Sequence, residues 1–288
     1  MGSRVLARLA QQAGQAQGAS VAAFDSDPSR REVVEQAGAD WRGTLAEVAR
    51  ASDVFITVLP GPDETDAVLR EALPALPEGA LWLDLTSGDP IRMAELTAAA
   101  ATRGIDVVAA PMGGSVTDAA EGTLTFYVGG EADAVDRAEP ILRRLSEEGG
   151  VRSCGPNPSD GQLVKLLANA LWFANAVAAG EALLVGQAHG LAPRHLQALL
   201  AGSAGSSTAL SRHLPRLLDG DYLTTFGIDR VVEELDTVAT VARSTALPSP
   251  ILDASAEVHR QALARYGPAL GELLGVRLLE DLAGRELR

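Results

Sequence analysis

Residues 149–171 read GGVRSCGPNPSDGQLVKLLANAL, and the pattern of the chain changes at this stretch. Before it, short apolar runs alternate with helical patterns, whereas the patterns after it are all helical. Alternation of strands and helices predicts a parallel sheet with helices on both faces, and a series of helical patterns predicts an all-α domain. We therefore expect an α/β domain over residues 1–160 and an all-helical domain over residues 161–288, joined by a long helix that begins near Gly161.

The α/β part contains one run that predicts a strand buried on both faces. Residues 53–59 read DVFITVL, which is rich in β-branched residues and is stopped by Pro60-Gly61-Pro62. A helix is expected before it over residues 3–12, ending near Gly14 or Gly18. The other strands are expected over residues 20–25, 80–85, 105–109, 123–128 and 151–153.

The composition limits the partners. The chain has 288 residues, a net charge of −14 and one cysteine, Cys154. A surface this acidic repels nucleic-acid backbones and anionic membranes, so we expect neither as a partner. A lone cysteine suits the reducing cytoplasm, and no signal peptide opens the chain. Because polar residues interrupt the apolar stretch 163–188, we expect it to be a buried helix and not a membrane span.

Lys165 is the only lysine among the 24 lysine and arginine residues. Arginine stays charged in proteins, whereas burial can lower the pKa of a lysine amine until it exchanges protons near neutral pH. Lys165 lies between apolar residues on the first turns of the long helix, and Asn169, four residues on, shares its face. Together they could hold a hydroxyl or carbonyl oxygen and move its proton. The alternative is a lysine that reaches for solvent from a helix end.

Three predicted strands are followed by short loops of small residues and proline. Ligands of open α/β sheets bind at the carboxyl ends of the strands, where glycines let a ligand approach the backbone. Each loop alone is more often a structural turn, but three in succession favour a ligand site. The loops are Leu59-Pro60-Gly61, Thr86-Ser87-Gly88 and Pro111–Ser115.

Asp25 ends the strand expected over residues 20–25. An acidic residue at the end of the second strand of a dinucleotide-binding fold accepts hydrogen bonds from the ribose hydroxyls of NAD and repels the 2′-phosphate of NADP. Asp27 adds a second carboxylate with no arginine between the two, so we expect NAD, with NADP the less favoured cofactor. The alternative is that Asp27 simply caps a helix over residues 29–37.

Motifs along nearly the whole chain resemble those of the 3-hydroxyisobutyrate dehydrogenase family, part of the 6-phosphogluconate dehydrogenase-like β-hydroxyacid dehydrogenases. The stretch GQLVKLLANAL at 161–171 resembles GxxxKxxxN, which carries the catalytic lysine and asparagine of the family. The other stretches follow the family's order, and they are FDSDP at 24–28, ITVLP at 56–60, LDLTSGDP at 83–90 and AAPMGGSVTDAAEGTL at 109–124.

The resemblance implies a Rossmann-like domain followed by an all-α domain, and hydride transfer between NAD(P) and a small β-hydroxyacid, without a metal. It implies that Lys165 is the acid/base and lies with Asn169 in the cleft between the domains. Substrate binding is implied for Gly113, Gly114 and Ser115. The implied cofactor residues are Gly2, Asp25, Leu59, Pro60 and Ser87.

The C-terminal helices are apolar on more than one face, so we also expect a homodimer or larger assembly. The residues that indicate this are Leu270, Leu273, Leu274, Val276, Leu278 and Leu279.

Three departures from the family pattern matter. The family's first strand and the first two glycines of GxGxMG have no counterpart here, because the chain begins at the final Met1-Gly2. Either the start was assigned too late or this is a truncated form, and we expect weak dinucleotide binding. The family's Ser-Gly-Gly is Gly113-Gly114-Ser115, and its Lys-Asp-Leu is Glu233-Glu234-Leu235. Two alternatives therefore stay open: an imine-type reductase, and a catalytically silent binding or scaffold protein.

Overall fold

The computed structural model describes residues 1–14 and 20–288. It divides into two compact units, residues 1–166 and residues 167–288. The first unit combines strands and helices, and the second is helical over its described elements, so the expected fold class is confirmed.

The first unit alternates strands and helices. Its strands are β1 (Ala22–Ala23), β2 (Asp40–Trp41), β3 (Val54–Thr57), β4 (Leu81–Asp84), β5 (Asp106–Ala109), β6 (Met112–Gly113), β7 (Leu124–Gly130) and β8 (Ser146–Gly155). Its helices are α1 (Gly2–Ala13), α2 (Arg31–Gln36), α3 (Leu45–Arg50), α4 (Pro62–Ala72), α5 (Pro90–Ala101), α6 (Val116–Glu121), α7 (Ala132–Arg143) and the start of α8 (Pro158–Ala188). The sequence patterns do not predict β2, β6 or α6, because such short elements show too little periodicity.

The main sheet has the strand order β3-β4-β5-β7-β6, and β8 pairs with β7. β3, β4 and β5 are parallel, as expected. β4 is buried on both faces: Leu81 and Leu83 join a core formed with α1 and α7, and Trp82 joins a second core formed with α3, α4 and α5. Helices therefore cover both faces of the sheet.

β7 runs antiparallel to β5 and β6, which the alternation of strands and helices does not predict. β5 and β6 pair with β7 in the same register, since Val108 lies opposite Gly130 and Met112 lies opposite Phe126. β5 and β6 are thus two parts of one bent strand, interrupted at Pro111, and β7 is its hairpin partner. A parallel return would need a crossover of a dozen or more residues, usually through a helix, and six-residue α6 is too short for that.

β1 and β2 form a parallel two-stranded sheet that is separate from the main sheet. α1 packs against both sheets. β1 is shorter than the expected strand over 20–25. α1 ends at Ala13 with Gly14 as its C-cap, and Gly18, the other expected end, lies outside the described residues. The residues of α1 that pack in the two cores are Val5 and Leu9 on the main sheet and Leu6 and Ala10 on the small one.

α8 begins at Pro158, three residues before Gly161. Proline is favoured in the first turn of a helix because its missing N–H would have no partner there. The backbone N–H of Asn157 donates to Oδ2 of Asp160 at 2.9 Å, which fixes the chain as it enters the helix.

The first turn of α8 lies directly on the backbone of β5 and β7. A β-carbon at Gly161 would lie 2.5 Å from the carbonyl oxygen of Tyr127 and 2.9 Å from that of Ala109. A β-carbon at Gly129 would overlap the carbonyl oxygen of Asn157. Real β-carbons do not approach backbone atoms so closely, so this contact requires both glycines.

The second unit continues α8 and adds α9 (Pro193–Ala201), α10 (Leu214–Leu218), α11 (Ile228–Ser244), α12 (Pro250–Tyr266) and α13 (Leu274–Ala283). A π-helical turn, Ala209–His213, directly precedes α10. By length and composition α8 is apolar enough to cross a membrane. A single helix of this kind is also typical of the core of a soluble protein.

We predict that Gly161→Ala destabilises the protein. The new methyl group would contact two carbonyl oxygens, and overpacking of this kind costs about 1–3 kcal/mol, against which the better helix propensity of alanine contributes at most about 1 kcal/mol. Urea denaturation measures the loss. Gly14→Ala is the control, because its β-carbon would come no closer than 3.7 Å to another residue. Equal stability of the two variants would contradict the close contact.

Candidate functional site

Loops at the carboxyl ends of β3 and β4 bring several of the predicted cofactor residues together. The N-terminus of α1 reaches the same edge, where Gly2 lies against Val58. The backbone N–H of Leu59 donates to Oγ1 of Thr86 at 3.1 Å, which ties the Leu59-Pro60 loop to the loop that contains Ser87. Backbone groups from three elements therefore meet at the edge where ligands of such sheets bind.

The N-terminus of α1 has the properties of an anion site. Met1 precedes the helix, and no side-chain hydrogen bond caps α1 in the described part of the chain, whereas Thr44 caps α3 and Asp89 caps α5. Uncapped N–H groups and the helix dipole attract a phosphate. The residues present thus fit the pyrophosphate of a dinucleotide.

Asp25 lies just beyond β1 and is exposed. Its Oδ1 accepts from the backbone N–H of Asp27 at 2.9 Å, and Asp27 in turn accepts from the N–H of Ser29 at 2.9 Å. The alternative role expected for Asp27, a helix cap, is therefore seen in the structure. Hydrogen bonding to Ser29 lowers the pKa of Asp27. The carboxylate of Asp25, two residues earlier, accepts from the N–H of Asp27 and so orders the turn.

A fully buried carboxylate, Asp84, ends β4 and is 1% exposed. Its Oδ1 accepts from Oγ1 of Thr57 at 2.6 Å and from the backbone N–H of Thr86 at 3.1 Å. Its Oδ2 accepts from Nε2 of Gln162 at 3.1 Å, and Nε1 of Trp82 donates to Oγ1 of Thr57 at 2.9 Å. Side chains from β3, β4 and α8 are thereby joined to one carboxylate.

Gln162, on the first turns of α8, is fully buried and uses both ends of its amide. Nε2 also donates to the carbonyl oxygen of Thr86 at 2.8 Å, and Oε1 accepts from the N–H of Gly88 at 2.7 Å. The amide therefore both donates to and accepts from the backbone of the loop around Ser87. This contact joins the start of α8 to a loop predicted to bind cofactor.

Burial raises the pKa of Asp84 to about 6. The hydrogen bonds from Thr57, Thr86 and Gln162 lower this pKa, but by less than burial raises it. The desolvation of the carboxylate is thus the larger effect. At neutral pH the group is mostly ionised, which suits a site where its neighbours point N–H and O–H donors at it.

The predicted substrate residues lie on the bend between β6 and α6. Gly113 pairs with Thr125 in the hairpin, and Gly114 has a φ of 126°, which favours glycine. Ser115 caps α6: its Oγ donates to Oδ2 of Asp118 at 2.6 Å and accepts from the N–H of Asp118 at 3.2 Å. The hydroxyl of Ser115, which stands in place of the serine of the family motif, is therefore already hydrogen-bonded in this capping box.

Lys165 is half-buried and lies four residues after Gly161, so it shares the helix face that contacts β5 and β7. β5 leads directly into the segment that contains Gly113, Gly114 and Ser115. The seating of α8 on the sheet therefore also determines where the backbone of Lys165 lies.

Asn169 lies in the second unit, and its Nδ2 donates to Oε2 of Glu234 at 2.7 Å. Glu233 forms an ion pair with Arg230, whose Nη1 lies 2.7 Å from Oε2. The reversed charge that the sequence shows at Glu233 is thus balanced by an arginine on the preceding turn. Glu234 is thus the partner of a predicted catalytic residue within the second unit.

Sequence reasoning missed Asp84, Gln162 and Glu234. A carboxylate in the apolar strand ALWLDL was an available signal, because a buried charge requires partners. Gln162 offered no such signal, since a glutamine near a helix start is usually solvated. In the described residues no group of three or more His, Cys, Asp or Glu side chains is placed to hold a metal.

The fold and the loop edge define a two-unit, dinucleotide-binding oxidoreductase. The NAD binding domain of 6-phosphogluconate dehydrogenase matches residues 1–155, and the NAD-binding domain of NADP-dependent 3-hydroxyisobutyrate dehydrogenase matches residues 159–279. The chain therefore belongs to the 3-hydroxyisobutyrate dehydrogenase-like family. It is an NAD(P)-dependent enzyme of the dehydrogenase and reductase class that acts on CH–OH groups.

Named relatives share the length of the chain but differ in their substrates. The 2-(hydroxymethyl)glutarate dehydrogenase of Eubacterium barkeri is 28% identical over 82% of this chain and 78% of its own. The 3-sulfolactaldehyde reductase of Escherichia coli is 29% identical over 92% and 87%. The structure of Mycobacterium tuberculosis 3-hydroxyisobutyrate dehydrogenase with L-serine has a TM-score of 0.88 at 23% identity and covers 97% and 95% of the two chains.

We predict that Asp84→Asn changes how stability depends on pH. The pKa of Asp84 is about 6 in the folded protein against an ordinary 3.8, so folding favours the protonated carboxyl. This contribution is fully present below pH 3.8 and is lost as the pH rises through about 6. Relative to the variant, the wild-type free energy of unfolding should fall by up to ~3 kcal/mol over this range, measured by urea denaturation.

Asp118→Asn is the control, because the stability contribution of Asp118 should depend on pH in the opposite direction to that of Asp84. Hydrogen bonding to Ser115 lowers the pKa of Asp118, so its contribution is present above pH 3.8 and is lost as the pH falls. A stability difference between wild type and Asp84→Asn that did not vary with pH would show that the pKa of Asp84 is not raised by folding.

Proposed function

We propose that this enzyme transfers a hydride between NAD and a small β-hydroxyacid, with Lys165 as the acid/base. One observation carries the proposal: α8 is seated on β5 and β7 at Gly161, one turn before Lys165. The seat fixes the backbone of the lysine relative to the strand that leads into Gly113–Ser115. Relatives that act on hydroxyl-bearing acids or their aldehydes support the substrate class.

In this mechanism bound NAD supplies the hydride acceptor. Nζ of Lys165 takes the proton of the substrate hydroxyl in the oxidative direction and returns it in the reductive direction. Asn169, held by Glu234, orients the amine or the hydroxyl. The backbone N–H groups of Gly113 and Gly114, together with Ser115, hold the acid group. A contact from the Ser115 hydroxyl would compete with its hydrogen bonds to Asp118.

An imine-type reductase is the second candidate, favoured by Gly113 at the place of the family's serine. The retention of Lys165 argues against it. The silent scaffold is not proposed, since the named relatives are dehydrogenases and reductases.

We predict that Lys165→Arg lowers kcat at least about a hundredfold. Arginine keeps the charge and most of the length but does not exchange a proton near neutral pH, and a positioned acid–base group contributes about 10²- to 10⁴-fold. Turnover is measured with NAD and with 3-hydroxyisobutyrate or L-serine as substrate. Lys165→Ala should lose as much or more.

NAD affinity by calorimetry and the thermal midpoint are the controls for the Lys165 variants, and both should stay close to wild type. A lysine with a purely structural role would give the reverse result: arginine would be tolerated and alanine would lower the midpoint. Near-normal turnover of Lys165→Arg would remove this residue from the mechanism.

We propose NAD as the preferred cofactor, and we predict that Asp25→Asn weakens the preference. The substitution removes the charge that repels a 2′-phosphate and one of the two acceptor oxygens for the ribose hydroxyls. The ratio of kcat/KM for NADP to that for NAD should rise about tenfold or more, which corresponds to ~1.4 kcal/mol. Asp27→Asn measures the share of the second carboxylate and should change the ratio less, because Asp27 caps the turn at Ser29 and asparagine still does so. An equal change in both variants would contradict a specific role of Asp25.

We also propose a cytoplasmic homodimer, with α8 as its interface. The apolar residues of α13 that suggested an assembly are mostly covered within the second unit, as Leu274, Val276 and Leu278 are buried. α8 instead exposes a stripe with the spacing of a helix–helix seam. Its members are Val164, Leu167, Leu171 and Val185, which are 38%, 40%, 59% and 60% exposed.

We predict that light scattering finds a dimer at micromolar concentration and that Leu171→Glu converts it to a monomer. A charge in the middle of an apolar seam would be buried without a partner. Leu282→Glu, at a leucine of α13 that is more exposed than Leu171, is the control and should leave the dimer intact. A wild-type monomer would rule out the assembly.

A further inference from the structure

We propose that Gln162 and Asp84 are positioning residues that lock the loop Thr86–Gly88 to the helix that carries Lys165. The inference rests on the proposed function, in which that loop contacts NAD and Lys165 exchanges the proton. The acid/base and the cofactor must keep one relative position, and this pair of side chains joins the elements that hold them within the first unit.

The polarity of the contact allows one orientation of the Gln162 amide. Nε2 faces two acceptors, Oδ2 of Asp84 and the carbonyl oxygen of Thr86, while Oε1 faces a donor, the N–H of Gly88. A reversed amide would set oxygen against oxygen at two places and N–H against N–H at the third. Asp84 is the acceptor that completes the set, and Thr57 and the N–H of Thr86 fix its own rotamer.

A purely structural role does not account for the choice of residues. A buried carboxylate and a buried amide are costly, and apolar residues of similar volume fill such a space with less desolvation. Their partners are the backbone groups of Thr86 and Gly88, which form the loop at the ligand edge. Thr86 in turn accepts from the N–H of Leu59, so the second cofactor loop is held by the same chain of hydrogen bonds.

Gln162 and Lys165 are three residues apart and share a side of the helix. A shift of the first turns of α8 therefore moves the lysine by a similar distance. Misplacement of a catalytic group by about 1 Å can lower the rate about a hundredfold. Gln162 thus acts on the rate through Lys165, and its loss changes kcat more than the stability of the fold.

The test uses Gln162→Met, which keeps the length of the side chain and removes its hydrogen bonds. The matched control is Gln197→Met, since Gln197 is also buried and its Nε2 donates to the carbonyl oxygen of Leu210 at 2.9 Å in the second unit. We expect both variants to lower the thermal midpoint similarly, and Gln162→Met alone to lower kcat about 10- to 100-fold with 3-hydroxyisobutyrate or L-serine and saturating NAD.

A double-mutant cycle separates positioning from general destabilisation. If Gln162 acts through Lys165, adding Gln162→Met to Lys165→Ala lowers kcat no further, because residues that work as a unit are not additive. A full additional loss in the Lys165→Ala background would overturn the inference. The Lys165→Ala variant by itself reports on the proposed function, so the two ideas fail on different measurements.

Hydrogen exchange supplies a readout that does not depend on turnover. In the protein without cofactor, Gln162→Met should speed exchange in peptides that cover residues 84–90 and also in those that cover residues 158–166. Gln197→Met should change neither segment. Unchanged exchange at residues 84–90 in Gln162→Met would show that the side chain does not hold the loop, and would overturn the inference.

Discussion

The contact between the first turn of α8 and the backbone of β5 and β7 determines the rest of the candidate site. Two glycines, Gly129 and Gly161, permit it, because any β-carbon at either place would overlap backbone atoms. A helix held at this distance has little freedom to slide or rotate, since backbone atoms do not yield as side chains do. The seat therefore defines the positions of the residues one turn further on, among them Lys165.

The same seat explains why a charged group is retained inside the sheet. α8 brings Gln162 to the end of β4, where the loop after the strand presents a carbonyl group and an N–H group that need partners. Asp84 supplies the acceptor for the remaining amide hydrogen. Burial raises the pKa of this carboxyl to about 6, so the network is poised close to the pH at which it would take up a proton. The packing of α8 on the sheet therefore creates the buried network of Asp84 and Gln162.

Much of this arrangement is encoded locally and could be predicted from the sequence. The strand runs, the all-helical second half and the motif from Gly161 to Asn169 each depend on nearby residues and periodicity. The antiparallel direction of β7 was not predicted, because the two-residue strand β6 is too short to show a strand pattern. Without β6, the connection from β5 to β7 has the dozen or more residues that a parallel crossover needs. The capping by Ser115 shows the same limit, since a hydroxyl placed for substrate and one placed for Asp118 look alike in sequence. Gln162 and Glu234 have partners 76 and 65 residues away along the chain, and pairs so distant leave no local signal.

The second unit adds a polar face whose charges differ from the family pattern. Glu233 replaces a lysine of that pattern, yet Arg230 balances it from the preceding turn, so the local charge changes less than the sequence suggests. Glu234 accepts from Nδ2 of Asn169, so the nitrogen of the amide, and not its oxygen, faces this carboxylate. An amide oxygen accepts hydrogen bonds, and a protonated amine and a substrate hydroxyl are both donors. The carboxylate of Glu234 therefore gives Asn169 the polarity that the proposed proton exchange at Lys165 requires.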